Sequence, residues 1–293
     1  MALIGLAVIA TVFAGIYLYF RLTIPRRLKR PESSEPSDDF VRIRGRMENM
    51  AAPTLVAAPA VVPDFSKLGG HPELPNGLDW PEGPEGPLAF LAQFDLQLAR
   101  ASGGPEWLPG LGAIYVFHDE RWGMNDQVRI VHSTNEPDAP RTPPARLKPE
   151  LRYLERRVEM IRLTSTPSLD WLNEDVRTID VSESELDELA NLPSADLGSG
   201  PTHKLGGYPD EIQEEQMALS CEHAVRGLEY RFGKPVSPEI EAASEEWRLL
   251  AQIDSDSKLK MNWGDGGMFY VFIREADART GDFSRTVTLS QTH

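Results

Sequence analysis

Cysteine is nearly absent. Cys221 alone among 293 residues excludes an internal disulfide framework and any multi-cysteine zinc or iron–sulfur site. Several catalytic signatures are missing as well. The chain holds no His-Glu-x-x-His, no dinucleotide fingerprint, no Walker loop and no Gly-x-Ser-x-Gly elbow. Cations are scarce: 30 basic residues face 45 acidic ones, a net charge of −15. Residues 1–30 contain five of the basic residues and no acidic one, so the remainder carries −20. A body that acidic excludes general nucleic-acid binding, which needs cations facing phosphates.

What is present first is an uncharged run from Ala2 to Phe20. As a helix it would be about 28 Å long, close to the hydrocarbon thickness of a bilayer. Arg21, Arg26, Arg27, Lys29 and Arg30 follow it. The expectation is a transmembrane helix over 1–20, contacting the lipid bilayer through residues 2–20. A basic juxtamembrane segment and polar linker over 21–52 and a domain over 53–293 follow. The positive-inside rule then places that domain in the cytoplasm, at a bacterial-type inner (plasma) membrane.

Three strings occur twice in the same order. Lys67-Leu68-Gly69-Gly70-His71-Pro72 returns at Lys204–Pro209, Leu91–Asp95 at Leu250–Asp254, and Gly112–Phe117 at Gly267–Phe272. The pattern predicts an internal duplication with related halves at about 53–135 and 200–283. Short β-branched and aromatic runs predict strands at Thr54–Ala58, Ile114–Phe117, Gln127–Val131, Trp247–Ile253 and Met268–Ile273. Helices are expected at Glu211–Leu228, at Glu150–Met160 ahead of a strand at Ile161–Ser165, and after the capping box at Ser182. The fold class these elements predict is α+β, with more strand than helix.

Candidate site residues come from the repeats and from one acidic stretch. Gln93 and Asp95, with their counterparts Gln252 and Asp254, lie two apart on strands, so each pair shares a face. A polar binding groove and a structural role in bonding loop backbone both fit them. Asp254-Ser255-Asp256 opens like a calcium loop, but Lys258 and Leu259 stand where a ligand and the turn glycine belong. A hairpin with a Gly264-Asp265-Gly266-Gly267 turn accounts for the stretch without metal. Trp263 and Asp265 beside that turn complete the candidate set.

The repeated Lys-Leu-Gly-Gly-x-Pro strings, with Trp80-Pro81, Phe90–Gln93 and Trp263–Gly267, resemble the YwqG-like family over roughly residues 53–283. The resemblance implies a duplicated α+β fold rich in antiparallel strands, without assigned catalytic residues. It also implies a protein-binding role of the immunity type. The leading expectation is therefore a membrane-anchored cytoplasmic binding protein with a basic protein partner and no cofactor. The alternative is a metal-dependent hydrolase using Asp254, Asp256 and Asp265.

Overall fold

The computed structural model describes residues 35–293 apart from 63, 120–126, 193–196, 199, 214–215 and 232–233. Along the chain come α1 (Asp38–Asn49), β1 (Ala52–Pro59), β2 (Lys67–Leu68), β3 (Glu82–Gly83), β4 (Gly86–Pro87), β5 (Ala89–Asp95), α2 (Leu96–Ala101), β6 (Ala113–His118) and β7 (Val128–Ser133). Then follow a 3-10 turn (Pro149–Leu151), β8 (Arg156–Ser165), α3 (Glu183–Ala190), β9 (Lys204–Gly206), α4 (Met217–Val225) and α5 (Pro238–Ser244). The last elements are β10 (Trp247–Asp254), β11 (Met268–Arg274), α6 (Glu275–Thr280) and β12 (Val287–Gln291).

Ten of the strands form one sheet in the order β12-β11-β10-β9-β1-β8-β2-β5-β6-β7. The order reads the same from either end once β1 is exchanged with β8, β2 with β9, β5 with β10, β6 with β11 and β7 with β12. Every neighbouring pair is antiparallel. β1 leads into the first Lys-Leu-Gly-Gly string but pairs with β9, so that Val56 faces Lys204. β8 leads into the second string but pairs with β2, so that Arg157 faces Lys67. The halves are joined by these exchanged strands and by the β1–β8 ladder from Ala52↔Ser165 to Pro59↔Val158. Each half also carries its bulge at the same place, between Phe90 and Ala92 in β5 and between Leu249 and Ala251 in β10.

Strand side chains alternate between faces. Ile114, Val116, Phe269 and Val271 point to a core shared by both halves. Tyr115 and Phe117 join a second cluster, and Tyr270 and Phe272 a third. Each fully buried Phe or Leu contributes about 1.5–3 kcal/mol. The sheet curls until its edges nearly meet: the Val128 N–H donates to Thr288 Oγ1 at 3.2 Å, and the His132 and Phe283 rings lie 5.1 Å apart. The paired glycines of the repeated loops are required by their surroundings. Gly69 and Gly206 have φ of 60° and 71°, and a Cβ there would sit 2.2 Å from the Leu154 carbonyl oxygen or from Pro105 Cγ.

Three expectations need correction. The α+β class gives way to a nearly closed antiparallel sheet, strand-rich as expected, with short helices at its margins, the longest among the described residues being of 12 residues. The transmembrane helix expected over 1–20 is not among the described elements: no described helix is long and apolar enough to cross a membrane, and the run 2–20 lies outside the described residues. Glu150–Met160 is not helical: a single 3-10 turn leads into the ten-residue strand β8. Ladder partners on both sides of β8 override its charged, helix-compatible composition.

Residues 35–45 and 175–191 form a small unit of their own. There Ser182 and Glu185 make a full capping box on α3. Glu185 also accepts the Ser37 N–H at 2.6 Å, and Arg44 pairs with Glu188 at 2.6 Å.

Candidate functional site

The repeated strings build the same polar brace twice. Lys67 and Lys204 are both fully buried. A buried ammonium is tolerable only when paired. Lys67 Nζ lies 3.1 Å from Glu73 and 3.1 Å from Glu155, and Lys204 Nζ lies 2.7 Å from Asp210. Gln93 Oε1 accepts the Glu73 N–H at 2.9 Å, and Gln252 Oε1 accepts the Asp210 N–H at 2.9 Å. Gln93 Nε2 donates to the Phe65 carbonyl at 2.8 Å, and Gln252 Nε2 to the Thr202 carbonyl at 3.1 Å. The Tyr115 hydroxyl donates to the Glu73 carbonyl at 3.0 Å, and the Tyr270 hydroxyl to that of Asp210 at 2.7 Å. Burial first, and nearby carboxylates second, push both phenols up, so they remain protonated donors. Gln93 and Gln252 have no exposed surface and bond loop backbone, and Gln252 Nε2 donates to Asp210 Oδ2 at 2.7 Å as well. They are braces for the Lys-Leu-Gly-Gly-x-Pro loops.

The strand-end carboxylates diverge. Asp95 Oδ1 accepts the Leu98 N–H at 2.9 Å and caps α2. Asp254 Oδ2 accepts the Thr202 N–H at 2.8 Å, and burial raises its carboxyl above the ordinary aspartate value. The Asp254 N–H donates to His203 Nδ1 at 3.2 Å, which puts the neutral imidazole's hydrogen on Nε2. That Nε2 lies 3.7 Å from Asp256 Oδ2, too far for a hydrogen bond. Asp256 is 1% exposed and pairs with Arg156 at 2.5 Å. Burial opposes its ionisation, but the facing His203 N–H dipole, the Arg156 guanidinium and the Lys258 N–H at 2.8 Å outweigh burial and hold the carboxyl well below the usual range.

Asp265 is exposed in its turn. Trp263 is 3% exposed and packs on Phe269 and His118, with ring centroids 4.5 and 5.2 Å away. Among the described residues no group of three His, Cys, Asp or Glu side chains could hold a metal ion. Asp254, Asp256 and Asp265 therefore do not form a common ligand set.

A cleft of about 860 Å³ opens elsewhere, beside β10. Its floor is Met217, Trp247 and Leu249, all buried. Its walls include Trp107, Trp171 and Tyr208, each half-buried. The Trp171 ring meets Tyr208 edge-on at 5.3 Å, and the Tyr208 hydroxyl donates to the Met50 carbonyl at 3.0 Å. Trp247 is fixed from below. Its Nε1–H donates to Glu222 Oε2 at 3.1 Å, and the Arg274 guanidinium lies 4.9 Å from its ring centroid. Glu222 is 1% exposed; burial opposes its charge, but Arg226, Trp247 and Arg274 prevail and hold its carboxyl below the ordinary value. This clamp locks α4 onto β10 and β11.

None of the six residues read from the sequence as candidates lines the cleft. One signal points to it. The repeat offset grows from 137 to 159 residues between the first and second strings, which places extra chain between Tyr208 and Glu246. That extra chain is α4 and α5, the cleft's outer wall.

No curated protein matches this chain. A family model spans residues 66–291, from β2 through β12 and so across both braces and the cleft's β10 wall; the chain belongs to that family, described as a domain of unknown function (DUF1963).

Proposed function

We propose that the chain is a binding module that holds a protein partner in the cleft between β10, α4 and α5. The observation that carries this reading is the cleft itself. Its volume of about 860 Å³ falls within the range of ligand sites, roughly 300–1,000 Å³. Its walls are rich in tryptophan and tyrosine, the residues that supply most energy at recognition sites. The buried clamp on Trp247 gives it a preorganised floor. An immunity-type role, which the YwqG-like resemblance implies, is one form of this reading.

The test uses the full chain in its own cells. A photo-crosslinking amino acid in place of Trp107 is expected to trap one partner. Trapping should stop when Ala218→Trp fills the cleft in a chain that still unfolds cooperatively. Crosslinks that survive the filling, or equal trapping from position 111 on the first half, would sink the reading.

A further inference from the structure

We infer that the occupant of this cleft is a basic peptide segment, whose arginine or lysine side chains lie along the aromatic wall with their charged heads at its rim. The inference rests on the reading of the cleft as a binding site and adds the chemistry of what it takes. Charge decides it. Two arginines line the cleft, and both already have carboxylate partners: Arg46 pairs with Glu174, and Arg248 with Glu275 at 3.0 Å, a carboxylate that it shares with Arg279. Three glutamates line it too, Glu106, Glu241 and Glu245. All three are exposed, and no cation among the described residues pairs with their carboxylates. The uncompensated charge at this cleft is therefore negative.

An anionic ligand would meet repulsion there. A purely apolar one would draw water away from the carboxylates and return nothing to them. A cation on a methylene stem satisfies both parts of the site. The stem covers the half-buried rings of Trp107, Trp171 and Tyr208, and the head reaches ring faces and carboxylates. Met50, 39% exposed, extends the apolar surface at the rim. The cleft is several side chains in volume, which suits a peptide over a single small cation. The net charge of −20 on residues 31–293 supplies long-range attraction for such a segment.

The test is titration calorimetry of the full chain with a short peptide in which arginine alternates with leucine. Its twin carries citrulline for arginine, which removes the charge and keeps the shape. The arginine peptide should bind about tenfold more tightly or better, the scale of a desolvated cation–π contact. Combining Glu106→Gln, Glu241→Gln and Glu245→Gln, all exposed, should erase that preference without lowering the melting temperature. Equal binding of the twins overturns the inference and leaves the cleft reading standing. Arginine-peptide binding that persists in Ala218→Trp places the contact outside the cleft and also overturns it. Failure of both peptides to bind overturns it too, and the crosslinking from position 107 then judges the cleft reading separately.

Discussion

The two halves of the sheet share a brace and differ in what covers it. In the first half the outer face of β5 and β6 presents Leu88, Phe90, Tyr115 and Phe117. A loop seals it, with Trp80 edge-on to Phe117 at 5.5 Å and its Nε1–H donating to the Leu88 carbonyl at 2.9 Å. In the second half the matching positions are Trp247, Leu249, Tyr270 and Phe272, and helix α4 meets them with Met217 and Cys221. The larger floor and the helical cover leave a cleft beside them. The buried Lys–Gln–Tyr brace tolerates little change, because each member satisfies another in a place without water. The covers face solvent and are free to diverge. The difference teaches that the cleft, and with it the binding role proposed above, rests on the cover of one half and not on the residues repeated in both.

The brace itself is where the halves can be set apart most sharply. Lys204→Met leaves Asp210 facing its buried neighbours with no cation, and is expected to cost about 3 kcal/mol, the low end for breaking a buried pair because Asp210 keeps some water contact. Lys67→Met should cost less, since Glu73 retains Arg157 at 2.6 Å. Urea unfolding of the two variants measures the gap. Equal losses, or a larger loss at Lys67, would break the asymmetry.

Glutamine substitutions should show a smaller asymmetry. Gln93→Ala and Gln252→Ala each strand a part-buried N–H and a part-buried carbonyl, at about 2 kcal/mol apiece. Gln252→Ala should lose somewhat more, because its Nε2–H also donates to Asp210 Oδ2 at 2.7 Å. A larger loss at Gln93 in thermal unfolding would mean that the second brace is not the first one repeated.

How much of this is legible without coordinates depends on locality. The repeated strings mark Lys67, Gln93 and Tyr115 and their partners because a brace that must satisfy itself keeps its residue types. The Ser182–Glu185 capping box is equally readable, since it closes within four residues. The exchange of β1 and β8 leaves no local trace. Val56 finds Lys204, and Arg157 finds Lys67, through pairings set by the whole sheet. β8 is misread as partly helical for the same reason. The cleft is hidden because Trp107, Trp171 and Tyr208 come from separate loops, and only the uneven repeat spacing hints at the segment that walls it. Gln93 and Gln252 are found by type, but their burial is not, so a groove and a brace look alike in the sequence.

Acid separates the halves again. Asp256 has no carboxylate counterpart in the first half, where Gln97 occupies the equivalent place after the strand. Its folded pKa is depressed, so its stabilisation is present above the unfolded value of about 4 and is lost as pH falls below it. Asp254 acts with opposite sign. Its folded pKa is raised, so the ionised carboxylate costs stability near neutrality, and that cost is relieved as pH falls towards about 4. Asp256→Asn should flatten the loss of stability as pH falls below 4, and Asp254→Asn should flatten the loss as pH rises above it. Melting temperatures across an acid series of the three chains read both effects. Identical profiles would remove the titrating pair from the account.

The smallest expected effect concerns the two strand ends. Asp95 and Asp254 end their strands at equivalent places, yet the chain turns into α2 after one and into the hairpin with the Asp256–Met261 bridge after the other. Asp95 therefore serves locally. Its carboxylate receives the Leu98 N–H, one of the donors that the first turn of a helix leaves unpaired. Asp254 serves at a distance, holding the Thr202 N–H across the loop that enters β9. Removing a cap of this kind costs about 1 kcal/mol, and asparagine replaces aspartate there almost without loss. Asp95→Ala should thus lower stability by about 1 kcal/mol and speed hydrogen exchange at the Leu98 amide alone, while Asp95→Asn should leave both near wild type. In Asp254→Ala the amide that loses protection should be Thr202, with residues of β9 following it. If Asp95→Ala instead exposes the β2 loop, or leaves Leu98 as protected as before, then Asp95 is a second long-range brace. The two strand ends would then be alike, and the divergence of the halves would begin only at their covers.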